Sequence, residues 1–161
     1  MKSFENDVII AFQDIAKEIG AEIRRNPRER HCIEIPGKGI TLRVYWQIER
    51  TQGVFVTIFK EADIGKRSKE YGLGLLIKFK NGCPTEGNDA NRSKSLWAKS
   101  EANVVKKYAM GYLLGIEKDF SEFEEFVKQE REQMSKGRPQ WSEIMKKMKN
   151  VRPEWIPEEE D

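Results

Sequence analysis

Between Ile40 and Lys60 apolar and polar residues alternate strictly, with one interruption at Thr51-Gln52-Gly53. A period of two is the signature of a strand with one buried side, so the stretch predicts two antiparallel strands joined as a hairpin. Ile40, Leu42, Val44, Trp46 and Ile48 fall on one side with Val54, Val56 and Ile58. Thr41, Arg43, Tyr45, Gln47 and Glu49 fall on the other with Phe55, Thr57 and Phe59. A three-residue loop, with Gly53 in the left-handed position, sets Tyr45 opposite Phe59, Gln47 opposite Thr57 and Glu49 opposite Phe55.

The same reasoning extends in both directions. Phe4, Val8, Ala11, Phe12, Ile15 and Ile19 recur at helical spacing, which predicts an amphipathic helix over 4–19 that starts at Ser3 and stops at Gly20. Ala21 to Arg25 reads as a short strand, ended by Asn26-Pro27 because proline has no N–H for a ladder. Ile33 and Ile35 carry the next strand into the turn cluster Pro36-Gly37-Lys38-Gly39. Pairing Ile35 with Ile40 puts Ile33 against Leu42, Cys32 against Arg43 and Arg30 against Tyr45. Leu73, Leu75, Ile77 and Phe79 alternate as a fifth strand, after a polar link from Glu61 to Gly72.

Helices follow. The stretch from Asn81 to Ser95 reads as a loop, and Val104, Val105, Tyr108, Tyr112 and Leu113 continue a helical stripe begun by Leu96 and Trp97. Ser121 and Glu124 have the spacing of a capping box ahead of Phe123, Phe126 and Val127. Gly137-Arg138-Pro139 ends that helix, and Trp141, Ile144, Met145, Met148 and Val151 suggest a short last one. The order predicts an α+β fold: an antiparallel meander of four or five strands, an N-terminal helix on one face and C-terminal helices over part of the other. Residues 1–152 are expected to form one domain, with 153–161 as an acidic tail.

Charge changes this picture more than composition does. The 161 residues carry a net +2, but Arg24 to Lys107 holds 18 Lys and Arg against 9 Asp and Glu. Glu117, Asp119, Glu122, Glu124 and Glu125 then form an acidic run, and the chain ends Glu158-Glu159-Glu160-Asp161. No apolar run approaches the roughly 20 residues that span a bilayer. The N-terminal residues lack the apolar core of a secretory signal, which predicts a cytoplasmic protein whose Cys32 and Cys83 are reduced thiols.

Catalytic signatures are thin. His31 is the one histidine, too few for paired-histidine zinc or facial-triad iron sites, and it sits beside Cys32 on a strand so that their side chains diverge. Glu34 and Glu49 lie on strands without the Glu-x-Lys of a carboxylate nuclease. The lysine-bearing glycine turn at 36–39 joins two strands and so offers no helix N-terminus to a phosphate. No metal and no cofactor is therefore expected.

Binding chemistry is richer. Arg43, Tyr45, Phe55 and Phe59 share the polar side of the sheet with Arg30, and rings flanked by guanidinium groups suit single-stranded nucleic acid. The competing expectation is that the later helices bury this face. A meander also gathers Arg24, Arg25, Arg28, Arg30 and Arg50 at one end, and Lys38, Lys60, Lys66, Arg67 and Lys69 at the other. The arginine end is preferred, because guanidinium makes bidentate contacts with phosphate and carboxylate. The sequence thus points to a non-enzymatic binding or regulatory protein that engages nucleic acid or a nucleoprotein complex through basic loops. The alternative is a protein-interaction module or inhibitor using Glu117, Asp119, Glu122, Glu124 and Glu125 as its contact surface. A metal-dependent hydrolase comes third.

Overall fold

The computed structural model describes residues 2–47, 53–62, 64–82 and 94–137. The chain divides into two compact units, 1–123 and 124–161. The first unit holds an N-terminal helix α1 (Lys2–Ile19), a five-stranded antiparallel sheet β1 (Arg24–Arg25), β2 (Cys32–Pro36), β3 (Thr41–Trp46), β4 (Val54–Lys60) and β5 (Lys69–Gly72), and helices α2 (Leu73–Asn81), α3 (Lys94–Tyr108) and α4 (Met110–Leu113). Helix α5 (Phe120–Gly137) begins in the first unit and runs into the second. Strand order follows chain order, a simple meander, and the class is α+β as the pattern predicts.

The aliphatic side of the sheet is the core. Ile33, Ile35, Leu42, Val44 and Ile58 are fully buried, and Trp46, Val54, Val56 and Tyr71 nearly so. Helices α1 and α3 pack along one another, and α3 rests on β4. Their buried residues (Val8, Phe12 and Ile15; Ala98, Ala102 and Val105) fall at helical spacing. Arg25 is the register partner of Ile33, hence on the same side, and its guanidinium is ion-paired with Glu5 of α1. That pair locates α1 on the aliphatic side of the sheet. Gly20 ends α1 with φ +71, and the bonds Gly20 N–H to Lys17 and Ala21 N–H to Ala16 make the closing turn that glycine permits.

Register departs from the expectation in a consistent way. Ile35 lies opposite Leu42 rather than Ile40, Cys32 opposite Tyr45, and Tyr45 opposite Phe55 rather than Phe59. Phe59 pairs with Thr41, and Arg30 precedes β2 instead of pairing with Tyr45. Each correction is an even number of residues, so every side chain keeps its predicted face while its neighbour changes. Between β3 and β4 the cause is loop length: the ladder closes with Gln47 N–H to the Gly53 carbonyl, which leaves more residues between the strands than a three-residue loop has, whereas the β2–β3 turn closes more tightly than expected, with Gly37 N–H to the Ile40 carbonyl.

Two other elements differ. Leu73–Asn81 is a helix, not the fifth strand, because Leu73, Leu76 and Ile77 also satisfy the i, i+3, i+4 spacing and are the residues it buries. Gly82, at φ +76, caps it by donating to the Lys78 carbonyl. The fifth strand is Lys69–Gly72, inside the segment read as a polar link. Helix α5 starts at Phe120, so Ser121 lies within its first turn, and the Asp119 carbonyl accepts the opening bond from Phe123 N–H. Expectations for Arg50, Cys83, the last short helix and the acidic tail fall outside the described residues.

The β2–β3 turn is tied to α4. Lys38 N–H donates to the Leu113 carbonyl at 2.9 Å, and the Gly37 α-carbon faces Leu113 so closely that a methyl there would meet Leu113 Cδ2 at 2.8 Å and its carbonyl at 2.9 Å. Gly37→Ala is accordingly expected to destabilise the protein by about 1–3 kcal/mol, read as a lower urea midpoint with an unchanged slope. An unchanged midpoint would show that this turn does not dock on α4.

Candidate functional site

The side of the sheet away from α1 and α3 carries polar residues tied to one another. Glu70, on the edge strand β5, accepts from Thr57 Oγ1 at 2.5 Å and Tyr45 Oη at 2.6 Å, and from an Arg43 guanidinium nitrogen at 3.3 Å. Arg43 Nε donates to Glu34 Oε1 at 2.9 Å, and that oxygen also receives Asn26 Nδ2 at 2.7 Å. The Arg43 guanidinium lies 3.7 Å over the Phe59 ring. One arginine between two carboxylates thus spans β2, β3 and β5.

Titration follows this geometry. Partial burial alone would raise the Glu70 carboxyl, but hydrogen bonds from Thr57 and Tyr45 and the charge of Arg43 outweigh it, so the group is held below its ordinary value. Burial, then the bond to Glu70 and its charge, push the Tyr45 phenol up. Burial and the charge of Glu34 push the Cys32 thiol up to about 11, which leaves it protonated and unreactive at neutral pH.

The predicted site residues separate into two groups. Arg43, Tyr45 and Phe59 are spent inside the network, and Arg25 is spent on Glu5. Arg24 lines a depression of about 430 Å3 near the β2–β3 turn, with Glu34, Thr41 and Glu61. Arg28 and Arg30 are exposed in the β1–β2 loop. Among the described residues, Arg24, Arg28 and Arg30 make no ion pair. On this face Cys32 is buried, among Glu34, Arg43 and Tyr45 of the network, whereas Phe55 stays 48% exposed.

Asn26 sets the shape of the arginine loop. Its Oδ1 accepts from the N–H groups of Arg28 at 2.8 Å and Glu29 at 3.1 Å, and its own N–H donates to the Cys32 carbonyl. Because Cys32, Tyr45 and Phe55 form one row across β2, β3 and β4, this loop and Phe55 share an end of the sheet. A methyl at Gly53 would lie 3.4 Å from the Phe55 ring and 3.5 Å from the half-buried Trp97 ring of α3, so both rings converge there.

The acidic alternative is partly consumed. Glu117 is ion-paired with Lys80, and Asp119 accepts from Tyr112 Oη at 2.6 Å, beside the edge-to-face rings of Phe120 and Phe123. Glu122 and Glu125 are exposed, and Glu124 is half-buried. At the lysine-rich end, Lys60 lies 5.2 Å over the Phe120 ring. Among the described residues no three His, Cys, Asp or Glu side chains converge as metal ligands would, and no helix is long and apolar enough to cross a membrane.

Sequence reasoning missed Glu70, Asn26 and Trp97. Asn26 had a local signal, since Asn-Pro opening a loop favours a side-chain turn. Glu70 had none, because its strand was not recognised. Comparison with protein-family models, with curated proteins and with solved structures returns no match.

The Glu70 network carries a pH signature. A depressed carboxyl contributes stability that is present above its unfolded value of about 4.3 and lost as pH falls through the folded value. Glu70→Gln should therefore be less stable than the parent at neutral pH, with the gap narrowing below about pH 5 in thermal unfolding. Parallel stability curves down to about pH 3 would show that Glu70 is not held in its charged form by these partners.

Proposed function

We propose that this is a non-enzymatic nucleic-acid-binding protein whose contact surface is the arginine-bearing β1–β2 loop and the adjoining end of the sheet. The observation that carries the reading is the contrast among the arginines. Arg25 and Arg43 are neutralised by Glu5, Glu34 and Glu70, while Arg28 and Arg30 stand exposed on a loop shaped by Asn26. A guanidinium with no carboxylate partner keeps its donors for phosphate, and a loop already in shape loses less entropy on binding. Arg24, also exposed, extends the positive charge along the sheet edge.

Charge balance favours this over the acidic-surface reading. Glu117 and Asp119 hold internal partners, so two of the five acids proposed for contact already serve the fold.

Binding is expected to be dominated by phosphate contacts and to weaken with salt. The Arg28→Ala/Arg30→Ala double variant should lower affinity for labelled oligonucleotides and reduce the slope of log K against log salt by about 1.4, the value for two single-strand phosphate contacts. Arg67→Ala, at the opposite end of the sheet, should change little. Fluorescence anisotropy over a salt series measures both. Absence of binding to single- and double-stranded DNA and RNA at low salt would refute the function.

A further inference from the structure

We infer that the ligand is a single strand with an unstacked base, received on an aromatic shelf made by Phe55 and Trp97; the inference rests on the nucleic-acid reading above. Of the three rings on the polar side of the sheet, two are unavailable. Tyr45 is anchored through its hydroxyl to Glu70, and the Phe59 face is covered by the Arg43 guanidinium at 3.7 Å. Phe55 remains, 48% exposed, in the same row as Cys32 and Tyr45 at the end of the sheet that carries the arginine loop.

Trp97 reaches the same place from the helix layer. Both rings lie about 3.5 Å from where a Gly53 side chain would begin, so glycine at this position leaves room for them to approach each other at the sheet end. The β2 strand that follows the arginine loop lies two strand spacings from β4, about 10 Å. That separation lets one strand place phosphates at Arg28 and Arg30 and a base on the rings.

The rest of the face turns phosphates away. Glu34 and Glu70 bring two carboxylates against the single charge of Arg43, so a phosphate backbone gains nothing by crossing the sheet centre. A duplex cannot offer a base to the shelf without unstacking it. Selectivity for single strands follows from the rings, and affinity from the arginines.

The test uses the full chain with three probes: a short oligouridine, a blunt-ended RNA duplex and inorganic polyphosphate. Oligouridine should bind most tightly and quench tryptophan emission, with the quenching lost in Trp97→Phe. Phe55→Ala should weaken oligouridine about tenfold, the order expected for one lost stacking partner, and leave polyphosphate unchanged, while Phe55→Tyr should retain binding. Oligouridine affinity that depends on Arg28 and Arg30 but is indifferent to Phe55→Ala, or equal affinity for the duplex, would overturn the shelf and leave the arginine reading standing. Failure of both oligouridine and the duplex to bind, whatever polyphosphate does, would overturn both.

Discussion

Burial of one side of the sheet is the constraint from which the other features follow. Ile33, Ile35, Leu42, Val44, Val56 and Ile58 must leave water together, and helices α2 and α3 pack against the sheet while α1 packs along α3. Since alternation is strict, committing those residues inward commits Glu34, Arg43, Tyr45, Thr57 and Phe59 outward. The polar side cannot be left as isolated charges close to an apolar layer, and it is resolved by mutual pairing. Arg43 carries that solution, with a carboxylate on either flank and a ring beneath it.

This pairing decides what is left for binding. A central arginine held by Glu34 and Glu70 adds order to the sheet but has little to offer a phosphate. The loop arginines differ because Asn26 holds the backbone at Arg28 and Glu29 while, among the described residues, the side chains of Arg28 and Arg30 are not engaged by acids. Partition of one residue type between a structural and an exposed role is a matter of position in the register. Arg43 sits mid-sheet, and Arg28 and Arg30 sit where the ladder has not yet begun.

Much of the fold was legible in the sequence, and the failures have physical causes. The faces of β2, β3 and β4 follow from period two, which the hydrophobic effect enforces residue by residue. Register was not legible, since a slip of two residues preserves every face and differs only in turn geometry. Leu73 to Phe79 satisfies both periods at once, and the helix prevails where Gly82 supplies its left-handed cap. Lys69–Gly72 offers one buried residue, Tyr71, too little for a pattern, so the strand and its Glu70 were invisible. The candidate site was half readable: Arg28, Arg30 and Phe55 announce themselves by type, whereas the removal of Arg43, Tyr45 and Phe59 and the arrival of Trp97 depend on contacts between distant elements.

The sheet has one face sealed by helices and a second face on which Phe55 reaches solvent. Radical or carbene footprinting of the full chain, read by mass spectrometry, measures it directly. Phe55 should be labelled strongly in the native protein while Phe12, Trp46 and Tyr71 are protected until unfolding. Protection of Phe55 equal to that of Trp46 would contradict this and mean that the second face is covered.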